Sequence, residues 1–439
     1  MSGVQFTRRA AGFMAFAAAS ALALSACGPS ATPQGSEGAG ELSSEPVTLT
    51  MTWWGNDTRQ ANTQKIIDAF EKAHPNINIE PSYSDWAGYW DKLATETAAN
   101  NTPDIIQMDA LYLSTYADRG ALLDLSSLGD ALNTSDLPQA AVDSGKVGDS
   151  LYAVSAGLTA YSLVANTSIF QQAGVELPDD KTWTWKDFAE ITKKISDSGA
   201  GKYYGASAYG FEDGALRMWA RQNGDQLFDK DGKVVIKQET VKSWWDELKK
   251  LTETGSVAPA STTIEKQSGG LSESLSATNQ AALGFWWNGQ LTALSKASGQ
   301  DLKLLRVPES SGGKYWYKPS MFWSASSRTQ HKAEAALFLD FLVNSQEAAD
   351  IQLTERGVPA NEKIRTAITP KLSETDKAVV AFLDDLSGDV GEAEPVTPPG
   401  GSAIEALLKK YTEQVLFDQV STDKAAEGFI KDLSSEIQN

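Results

Sequence analysis

The chain has 439 residues, of which 57 are acidic and 38 are basic, giving a formal charge of −19 at pH 7. This acidity argues against a nucleic-acid or anionic-membrane surface, because phosphate binding requires clustered lysine and arginine. Cys27 is the single cysteine, which excludes an intramolecular disulfide framework and a cysteine-based metal cluster. A chain of this length is expected to form two or more packed lobes.

The first 26 residues have the features of an export signal. Arg8 and Arg9 precede a run of apolar and small residues over 13–24, which is too short and too poorly flanked for a membrane-spanning helix. Residues 24–27 (LSAC) resemble a bacterial lipoprotein cleavage site, and that resemblance implies lipid on Cys27 at the extracytoplasmic face of the cell membrane. Sec and Tat export both stay open: Arg8 and Arg9 resemble a twin-arginine signal, but Ala10 and Ala11 follow where a bulky apolar residue is expected.

The first half of the remaining chain alternates strands and helices. Residues 27–46 are rich in Gly, Ser, Pro and Glu and predict a flexible tether. Beyond the tether the pattern predicts a strand over 47–53, a helix over 59–73, a strand over 77–81, a helix over 85–100 and a strand over 104–108. This alternation predicts right-handed crossovers and a mostly parallel sheet.

The second half continues with mixed elements. Helices are predicted over 185–198, 239–253 and 332–343, strands over 151–155, 159–166, 281–286, 302–307 and 320–325, and a hairpin over 228–236. From residue 373 onward the chain is predicted to be helical except for a loop over 388–401 that is rich in Gly and Pro. Trp244 and Trp245 fall inside a helical pattern and are predicted to be core residues.

Aromatic residues are unusually frequent and often paired. The sequence contains 13 Trp and 12 Tyr, and several stand beside Gly, Asn or Asp, as at Trp53-Trp54, Trp286-Trp287 and Trp316-Tyr317. Flat apolar rings with a polar edge suit a ligand that alternates C–H faces with hydroxyl groups, as a sugar does. A carbohydrate ligand is therefore indicated.

An ordered set of short motifs runs through nearly the whole chain after the signal. The clearest are LTMTWWG at 49–55, FEKAHPNI at 70–77, PDIIQMD at 103–109, AALGFWW at 281–287 and RGVPAN at 356–361. Together they resemble the carbohydrate-binding extracytoplasmic solute-binding proteins of ABC transporters, the group that includes maltose-binding protein. The resemblance implies an α/β, two-lobed periplasmic-binding-protein-like fold, each lobe a mostly parallel sheet flanked by helices, with a cleft between the lobes.

The same likeness implies lobe boundaries, a function and a site. The N-terminal lobe would comprise 47–155 plus 320–360, and the C-terminal lobe 156–319 plus 361–439. The protein would be a lipid-anchored receptor, a monomer without enzymatic activity, cofactor or metal, that closes on an oligosaccharide and delivers it to the permease of an ABC importer. The predicted ligand contacts are Trp54, Asp57, Trp86, Tyr89, Asp109, Tyr112, Tyr209, Glu212, Trp286, Trp287, Trp323 and Arg356.

Structural alternatives stay open for several of these residues. Most of the candidates follow predicted strands, where open α/β sheets bind ligands. Trp86 and Tyr89 could instead pack on their own helix, Asp109 could cap a helix, and Arg356 could form a structural ion pair.

Two other functions also stay open. An exported glycoside hydrolase would need a pair of carboxylates flanking a sugar, and no motif points to one. A cell-surface carbohydrate-binding adhesin would bind a sugar without importing it.

The segment DKDG at 229–232 begins like a calcium loop but lacks the later ligands, so a turn is favoured. His74 and His331, the only histidines, give little support for a triad or a zinc site.

Overall fold

A computed structural model of the protein describes residues 38–55, 57–267 and 271–438. The predicted export signal and Cys27 lie outside the described residues. The final part of the predicted tether is attached to the body: Ser43 N donates to Glu334 Oε1 at 2.6 Å, and Ala39 packs on the N-terminal hydrophobic cluster. Within the described residues, the end of the predicted tether therefore contacts the body.

Eleven strands form the sheets of the described part of the chain. They are β1 Val47–Trp54, β2 Ile77–Ser84, β3 Ile105–Met108, β4 Lys146–Val147, β5 Ser150–Leu151, β6 Val154–Thr159, β7 Tyr161–Asn166, β8 Tyr204–Ala206, β9 Ala281–Trp287, β10 Leu302–Leu305 and β11 Lys318–Ala325.

The α-helices cover the faces of these sheets. They are α1 Asp57–Ala73, α2 Trp86–Ala98, α3 Leu113–Asp118, α4 Gln139–Asp143, α5 Thr167–Ala173, α6 Trp185–Gly199, α7 Asp213–Gln222, α8 Gln238–Glu253, α9 Ala260–Gln267, α10 Leu291–Ser298, α11 Lys332–Asn344, α12 Gln346–Gln352, α13 Glu362–Ile368, α14 Glu374–Asp385, α15 Ile404–Leu416 and α16 Thr422–Gln438. Short 3₁₀ turns occupy Leu125–Ala131, Leu271–Glu273, Asn288–Gln290, Thr369–Lys371, Leu386–Asp389 and Gly401–Ala403. None of the helices in the described ranges is long and apolar enough to cross a membrane.

Two separate sheets organise two hydrophobic cores. The five-stranded sheet has the order β2-β1-β3-β11-β6, and the four-stranded sheet has the order β10-β7-β9-β8. Around the first sheet lies a cluster that includes Phe70, Leu93, Phe322 and Phe338; we call this part the N-terminal lobe. The cluster around the second sheet is the C-terminal lobe, and it includes Trp244 and Trp245, which are buried as predicted.

Both sheets are mixed, which corrects the prediction of mostly parallel sheets. In the N-terminal sheet β1 is parallel to β2 and β3, whereas β11 is antiparallel to β3 and β6. In the C-terminal sheet only the β8–β9 pair is parallel. The predicted strand–helix alternation over 47–108 is confirmed by β1, α1, β2, α2 and β3. Strands β6 and β11 connect the N-terminal sheet with the C-terminal lobe, and they enter the sheet antiparallel to their neighbours. Local periodicity predicts a strand but does not predict the direction in which it runs in the sheet.

The connections between the lobes are short and closely packed. Ala160 alone separates β6, in the N-terminal sheet, from β7, in the C-terminal sheet. Beside this crossing, Leu158 N donates to the carbonyl of Val358 at 2.7 Å. A side chain at Gly157 would lie 2.2 Å from the carbonyl oxygen of Arg356, so only glycine allows the two segments to approach this closely.

Candidate functional site

A cavity of about 390 Å³ lies between the two lobes. The segment after β3 and the N-terminus of α2 form one side of it. The C-terminal end of β9 and the N-terminal half of α7 form the other side. The residues that line it are Trp86, Asp109, Ala110, Leu111, Tyr112, Ser144, Asp213, Arg217, Trp287, Trp316, Tyr317, Lys318, Pro319, Phe322, Glu394, Pro395, Val396, Thr397 and Glu405. We call this space the interlobe cavity.

Trp86 is the most exposed aromatic residue of this cavity, with 41% of its surface accessible. It is the first residue of α2, which Asp85 caps by accepting a hydrogen bond from Gly88 N at 2.8 Å. Its ring stands edge-on to Trp54 and Trp90, at centroid separations of 5.0 and 5.4 Å. These contacts hold the indole in place at the rim of the interlobe cavity.

Trp54 and Tyr89 were also predicted to contact the ligand, but the structure places them behind Trp86, outside the lining of the interlobe cavity. Both are buried, at 8% and 1% exposure, and their rings meet edge-on at 5.2 Å. The Tyr89 hydroxyl donates to the backbone carbonyl of Gln107, and burial raises its pKa well above the ordinary value. An amphipathic helix has one buried face, and Tyr89 lies on it while Trp86 lies at the exposed end.

Asp109 and Tyr112 line the interlobe cavity where β3 ends. One carboxylate oxygen of Asp109 accepts a hydrogen bond from Leu111 N at 2.9 Å, so this residue both closes a turn and faces the cavity. The ring of Tyr112 stacks on Trp90 at 3.8 Å, which covers one of its faces. Burial raises the pKa of Tyr112, with a further contribution from the Asp109 charge.

On the C-terminal side Trp287 and Trp316 present a second pair of rings. They meet edge-on at a centroid separation of 6.2 Å, and Lys318 Nζ lies 5.2 Å above the Trp287 ring. Gly214 makes this arrangement possible, because a side chain there would approach the rings of Tyr161 and Trp287 to within 2.9 Å. Trp287 was predicted as a contact residue; Trp316 was noticed only as part of an aromatic pair.

We call residues 391–399 the strap; within it, Glu394, Pro395, Val396 and Thr397 form one wall of the interlobe cavity. Two arginines of α7 hold it: Arg217 binds Asp213 at 2.8 Å and Glu394 at 3.0 Å, and Arg221 binds Glu394 at 2.6 Å. The strap also reaches the other lobe, because the Ser114 hydroxyl donates to the carbonyl of Thr397. The sequence predicted a loop here but gave no sign of its contacts with both lobes.

A second cavity of about 270 Å³ lies at the edge of the C-terminal sheet, and Tyr209, Glu212 and Trp286 line it. Burial raises the pKa of Glu212 to about 7, with contributions from Asp213 and Glu405 against Lys318. The predicted contact residues are thus divided between two cavities: Trp86, Asp109, Tyr112 and Trp287 line the first, and Tyr209, Glu212 and Trp286 line the second.

Trp323, Arg356 and Asp57 were also predicted to contact the ligand, and the structure places them outside the lining of both cavities. Trp323 and Arg356 are fully buried, with the guanidinium 5.1 Å from the ring centroid and bonded to the side chains of Gln107 and Thr63. The only carboxylate near this guanidinium in the described residues is Glu355, whose Oε2 lies 3.6 Å from Arg356 Nη1, so the structural alternative is favoured. Asp57 is exposed at the start of α1.

Several cavity residues were missed by sequence reasoning. Asp213, Arg217, Lys318, Glu394 and Glu405 all line the interlobe cavity. Burial raises the pKa of Glu405, helped by the nearby charges of Asp213 and Asp109. These residues come from four parts of the chain, namely α7, β11, the strap and α15, and only Asp213, next to the predicted Glu212, carried a local signal.

The acidic residues do not form a metal centre in the described ranges. No group of three or more His, Cys, Asp or Glu side chains there has the arrangement to hold a metal ion. The calcium-like segment is a turn in which Asp229 Oδ1 accepts hydrogen bonds from the amides of Asp231 and Lys233, both at 2.9 Å. Among the carboxylates that line the interlobe cavity, Asp213 and Glu394 are paired with arginines of α7, and Asp109 accepts a hydrogen bond from Leu111 N.

Comparisons with known proteins agree with this architecture. Residues 65–381 match the family described as bacterial extracellular solute-binding protein. An uncharacterized lipoprotein in the oleD 5′ region of Streptomyces antibioticus is 26% identical over 77% of this chain and 74% of its own length. The diacetylchitobiose binding protein DasA of Streptomyces coelicolor is 28% identical, over 51% of this chain and 53% of its own length. A solved family 1 extracellular solute-binding protein from Alicyclobacillus acidocaldarius superposes with a TM-score of 0.74 at 27% identity, covering 90% of this chain and all of its own.

Proposed function

The chain belongs to the bacterial extracellular solute-binding proteins, and on that premise we propose that it is the receptor of an ABC importer and binds an oligosaccharide in the interlobe cavity. One observation carries the proposal: aromatic rings and carboxylates from both lobes line the same cavity. A relative that is named for binding diacetylchitobiose supports a carbohydrate ligand.

The cavity has the chemistry that a sugar requires. Trp86, Tyr112 and Trp287 offer ring faces to the C–H faces of a pyranose. Asp109 and Glu405 offer carboxylate oxygens to its hydroxyl groups, and hydrogen bonds to an ionised acceptor are about twice as strong as neutral ones. Stacking would supply most of the affinity, and the carboxylates would set the orientation of the ring.

Binding is coupled to closure of the cleft. A sugar that touches Trp86 in one lobe and Trp287 in the other stabilises the closed form by its differential affinity for closed over open. We place the lobe boundaries at 47–155 plus 320–360 and 156–319 plus 361–439, with bending at the short crossings near Ala160 and Gly157. The permease would then recognise the closed form.

The body is held at the extracytoplasmic face of the cell membrane by lipid on Cys27. This proposal rests on the signal-like residues 1–26 and on a relative that is named a lipoprotein. Release of a soluble form by Cys27→Ser, monitored in membrane and culture fractions, tests it. The receptor would act as a monomer, since one chain supplies both sides of the cavity.

The experiment that tests the function is a thermal-shift screen of an oligosaccharide panel with the purified protein. A true ligand at about one hundred times its Kd adds roughly 2.7 kcal/mol to the free energy of unfolding. Trp287→Ala should abolish that stabilisation, whereas Trp219→Phe, which changes a ring outside the interlobe cavity, should keep it.

Analysis of the sugar after incubation separates the receptor from its rivals. A receptor returns the sugar intact, in stoichiometric amounts. Turnover would identify a glycoside hydrolase and contradict the proposal. Absence of stabilisation by any soluble sugar would favour an adhesin or scaffold instead.

A further inference from the structure

Two carboxylates, one from each lobe, line the interlobe cavity without an ion-pair partner in the described residues. Asp109 follows β3 in the N-terminal lobe, and Glu405 lies in the first turn of α15, which packs in the C-terminal lobe. We propose that the ligand of this cavity carries a protonated amino group, which binds between these two carboxylates. The inference rests on the proposed function, because it specifies the class of oligosaccharide that the same cavity binds, namely an amino sugar.

The other two carboxylates of the cavity are neutralised by arginines of α7. Arg217 bonds to Asp213 at 2.8 Å and to Glu394 at 3.0 Å, and Arg221 bonds to Glu394 at 2.6 Å. Two positive and two negative charges therefore balance within this group. The side chain of Arg217 is only 6% exposed, and both of its carboxylate partners are already in contact, so it has no charge left for a further anion.

Asp109 is buried and keeps one carboxylate oxygen unpaired. The residue is 8% exposed, and its Oδ1 accepts a hydrogen bond from Leu111 N at 2.9 Å. Within the described part of the chain, Oδ2 has no hydrogen-bond partner and the carboxylate forms no ion pair. A buried charge without a counter-charge is costly, and a cationic group of the ligand would remove that cost.

Glu405 forms no hydrogen bond or ion pair in the described ranges either. Partial burial raises its pKa, and the charges of Asp213 and Asp109 raise it further. Burial also raises the pKa of Tyr112, and both Asp109 and Glu405 add to that increase. These mutual effects indicate that the two unpaired carboxylates, although they belong to different lobes, are close enough to repel each other.

Lys318 is the remaining cation in the cavity lining. Its ammonium group lies 5.2 Å from the centroid of the Trp287 ring and forms no ion pair with a described residue. The charge of Lys318 lowers the pKa of Glu405, but by less than the charge of Asp109 raises it. One lysine against two carboxylates leaves an excess of negative charge in the cavity.

This excess makes closure of the lobes depend on the charge of the ligand. Like charges that are divided between the lobes oppose their approach, and the repulsion grows as closure removes water from between them. A protonated amine between the carboxylates replaces the repulsion with two attractions, and it does so fully only when the lobes are closed. Such a ligand has the differential affinity for the closed form that drives closure. A neutral sugar of the same shape leaves the repulsion in place.

The exposed ring of Trp86 adds a second element of cation recognition. The face of an indole attracts a cation more strongly than that of any other aromatic side chain. On the opposite side of the cavity the rings already have cations, because Lys318 lies above Trp287. Arg221 lies 5.5 Å from the ring centroid of Trp316. Among the described residues Trp86 has no such cation, so its face is left for an amino group of the ligand.

Titration calorimetry of the full chain tests the charge of the ligand with sugars of one shape. The probes are the β-1,4-linked disaccharides of glucosamine, glucose and N-acetylglucosamine, which carry an amine, a hydroxyl and an acetamide at the same carbon. If the oligosaccharide panel identifies a sugar of another linkage, that sugar and its amino derivative form the pair instead. Each titration is made at low and at physiological salt.

The amino sugar should bind roughly tenfold more tightly than its hydroxyl counterpart, because a hydrogen bond to a charged group contributes more than a neutral one. Salt should weaken the binding of the amino sugar and leave that of the neutral sugar unchanged, since only the first gains from the charge of the cavity. The acetamide should behave like the hydroxyl in its response to salt, because it carries no charge.

Four variants test the assigned residues through the ratio of the two affinities, amino over hydroxyl. Asp109→Asn, which keeps an oxygen for Leu111 N, and Glu405→Gln should each reduce the ratio to about threefold or less. Lys318→Gln should raise the ratio, because it removes the cation that competes with the amine. As the matched control, Glu427→Gln makes the same charge change at a residue that lines neither cavity and should keep the wild-type ratio.

The inference and the receptor function fail in different ways. A neutral sugar that binds at least as tightly as its amino counterpart overturns the inference while the receptor function stands. A preference for the amine that persists in both Asp109→Asn and Glu405→Gln does the same. If no sugar of the panel binds, neutral or amino, the receptor function is refuted and the inference with it.

Discussion

Substitution of Arg217 by methionine tests whether the ion pairs of α7 hold the strap in place. Arg217 is buried, with its side chain 6% exposed, and it bonds to Asp213 at 2.8 Å and Glu394 at 3.0 Å. Methionine keeps much of the packing volume but removes the charge. Glu394 keeps a second partner, because Arg221 binds it at 2.6 Å, whereas Asp213 has no other ion-pair partner in the described residues.

The expected loss of stability depends on how each of the two carboxylates is left after the substitution. Removing one partner of a buried ion pair costs about 3–5 kcal/mol, because the remaining charge is left without compensation. Asp213 is 19% exposed, and Glu394 keeps its ion pair with Arg221. We therefore expect a loss of unfolding free energy at the lower end of this range, about 3 kcal/mol. The strap should also loosen, because the contact of Arg217 with Thr397 is lost.

Urea denaturation measures the free energy of unfolding, and limited proteolysis measures release of the strap. The matched control is Lys249→Met, since Lys249 also lies between two carboxylates, Glu253 and Asp418, but on the surface. There the expected loss is about 0–1 kcal/mol. Equal losses for the two variants, or no new cleavage within 391–399 in Arg217→Met, would show that the arginine does not clamp the strap.

Two further predictions concern the cavities. Trp86→Ala should weaken oligosaccharide binding at least tenfold with little change in stability. Trp54→Ala should instead cost about 3–5 kcal/mol of stability, because that aromatic ring is buried. Similar stability losses for the two variants would contradict the distinction between a ring that contacts the ligand and a ring that supports it. Glu212 has a pKa of about 7 against an ordinary value of 4.5, so the folded protein holds the extra proton between those values and stability falls as the pH rises through this window. Glu212→Gln should therefore stabilise the ligand-free protein at pH 8 by up to roughly 3 kcal/mol, less the reduction that partial exposure of the side chain brings. At pH 4 the substitution should have no effect on stability. Thermal melts of the variant and the wild type at both pH values measure this difference, and an equal effect at the two would refute the raised pKa of Glu212.

The sequence predicted elements well where local chemistry decides them. Helix α2 begins directly after Asp85 and α6 directly after Thr184, as the capping residues indicate. Residues 388–401 contain no α-helix, in agreement with their Gly and Pro content. The strand–helix alternation of the first half also matches β1 through β3.

Site residues were predictable only where the local pattern and the topology agree. Trp86 and Tyr89 stand three residues apart on one helix and look equivalent in sequence, yet one is exposed and the other buried, because the sheet covers only one face of α2. Arg356 follows the same principle: whether a charged residue faces a cleft or a core depends on which elements pack over it. Glu394 lies in a loop whose path between the lobes is set by contacts with Arg217 and Arg221, more than 170 residues earlier in the chain.

The most direct measurement joins ligand binding to closure. In the Cys27→Ala background, spin labels at Asp130→Cys in the N-terminal lobe and Glu253→Cys in the C-terminal lobe report the separation of the lobes by pulsed electron resonance. An oligosaccharide that raises the melting temperature should shift the distance distribution to a new position and be recovered with all its glycosidic bonds intact. A distribution unchanged at saturating sugar, or a sugar recovered in pieces, would contradict a receptor that closes around its ligand.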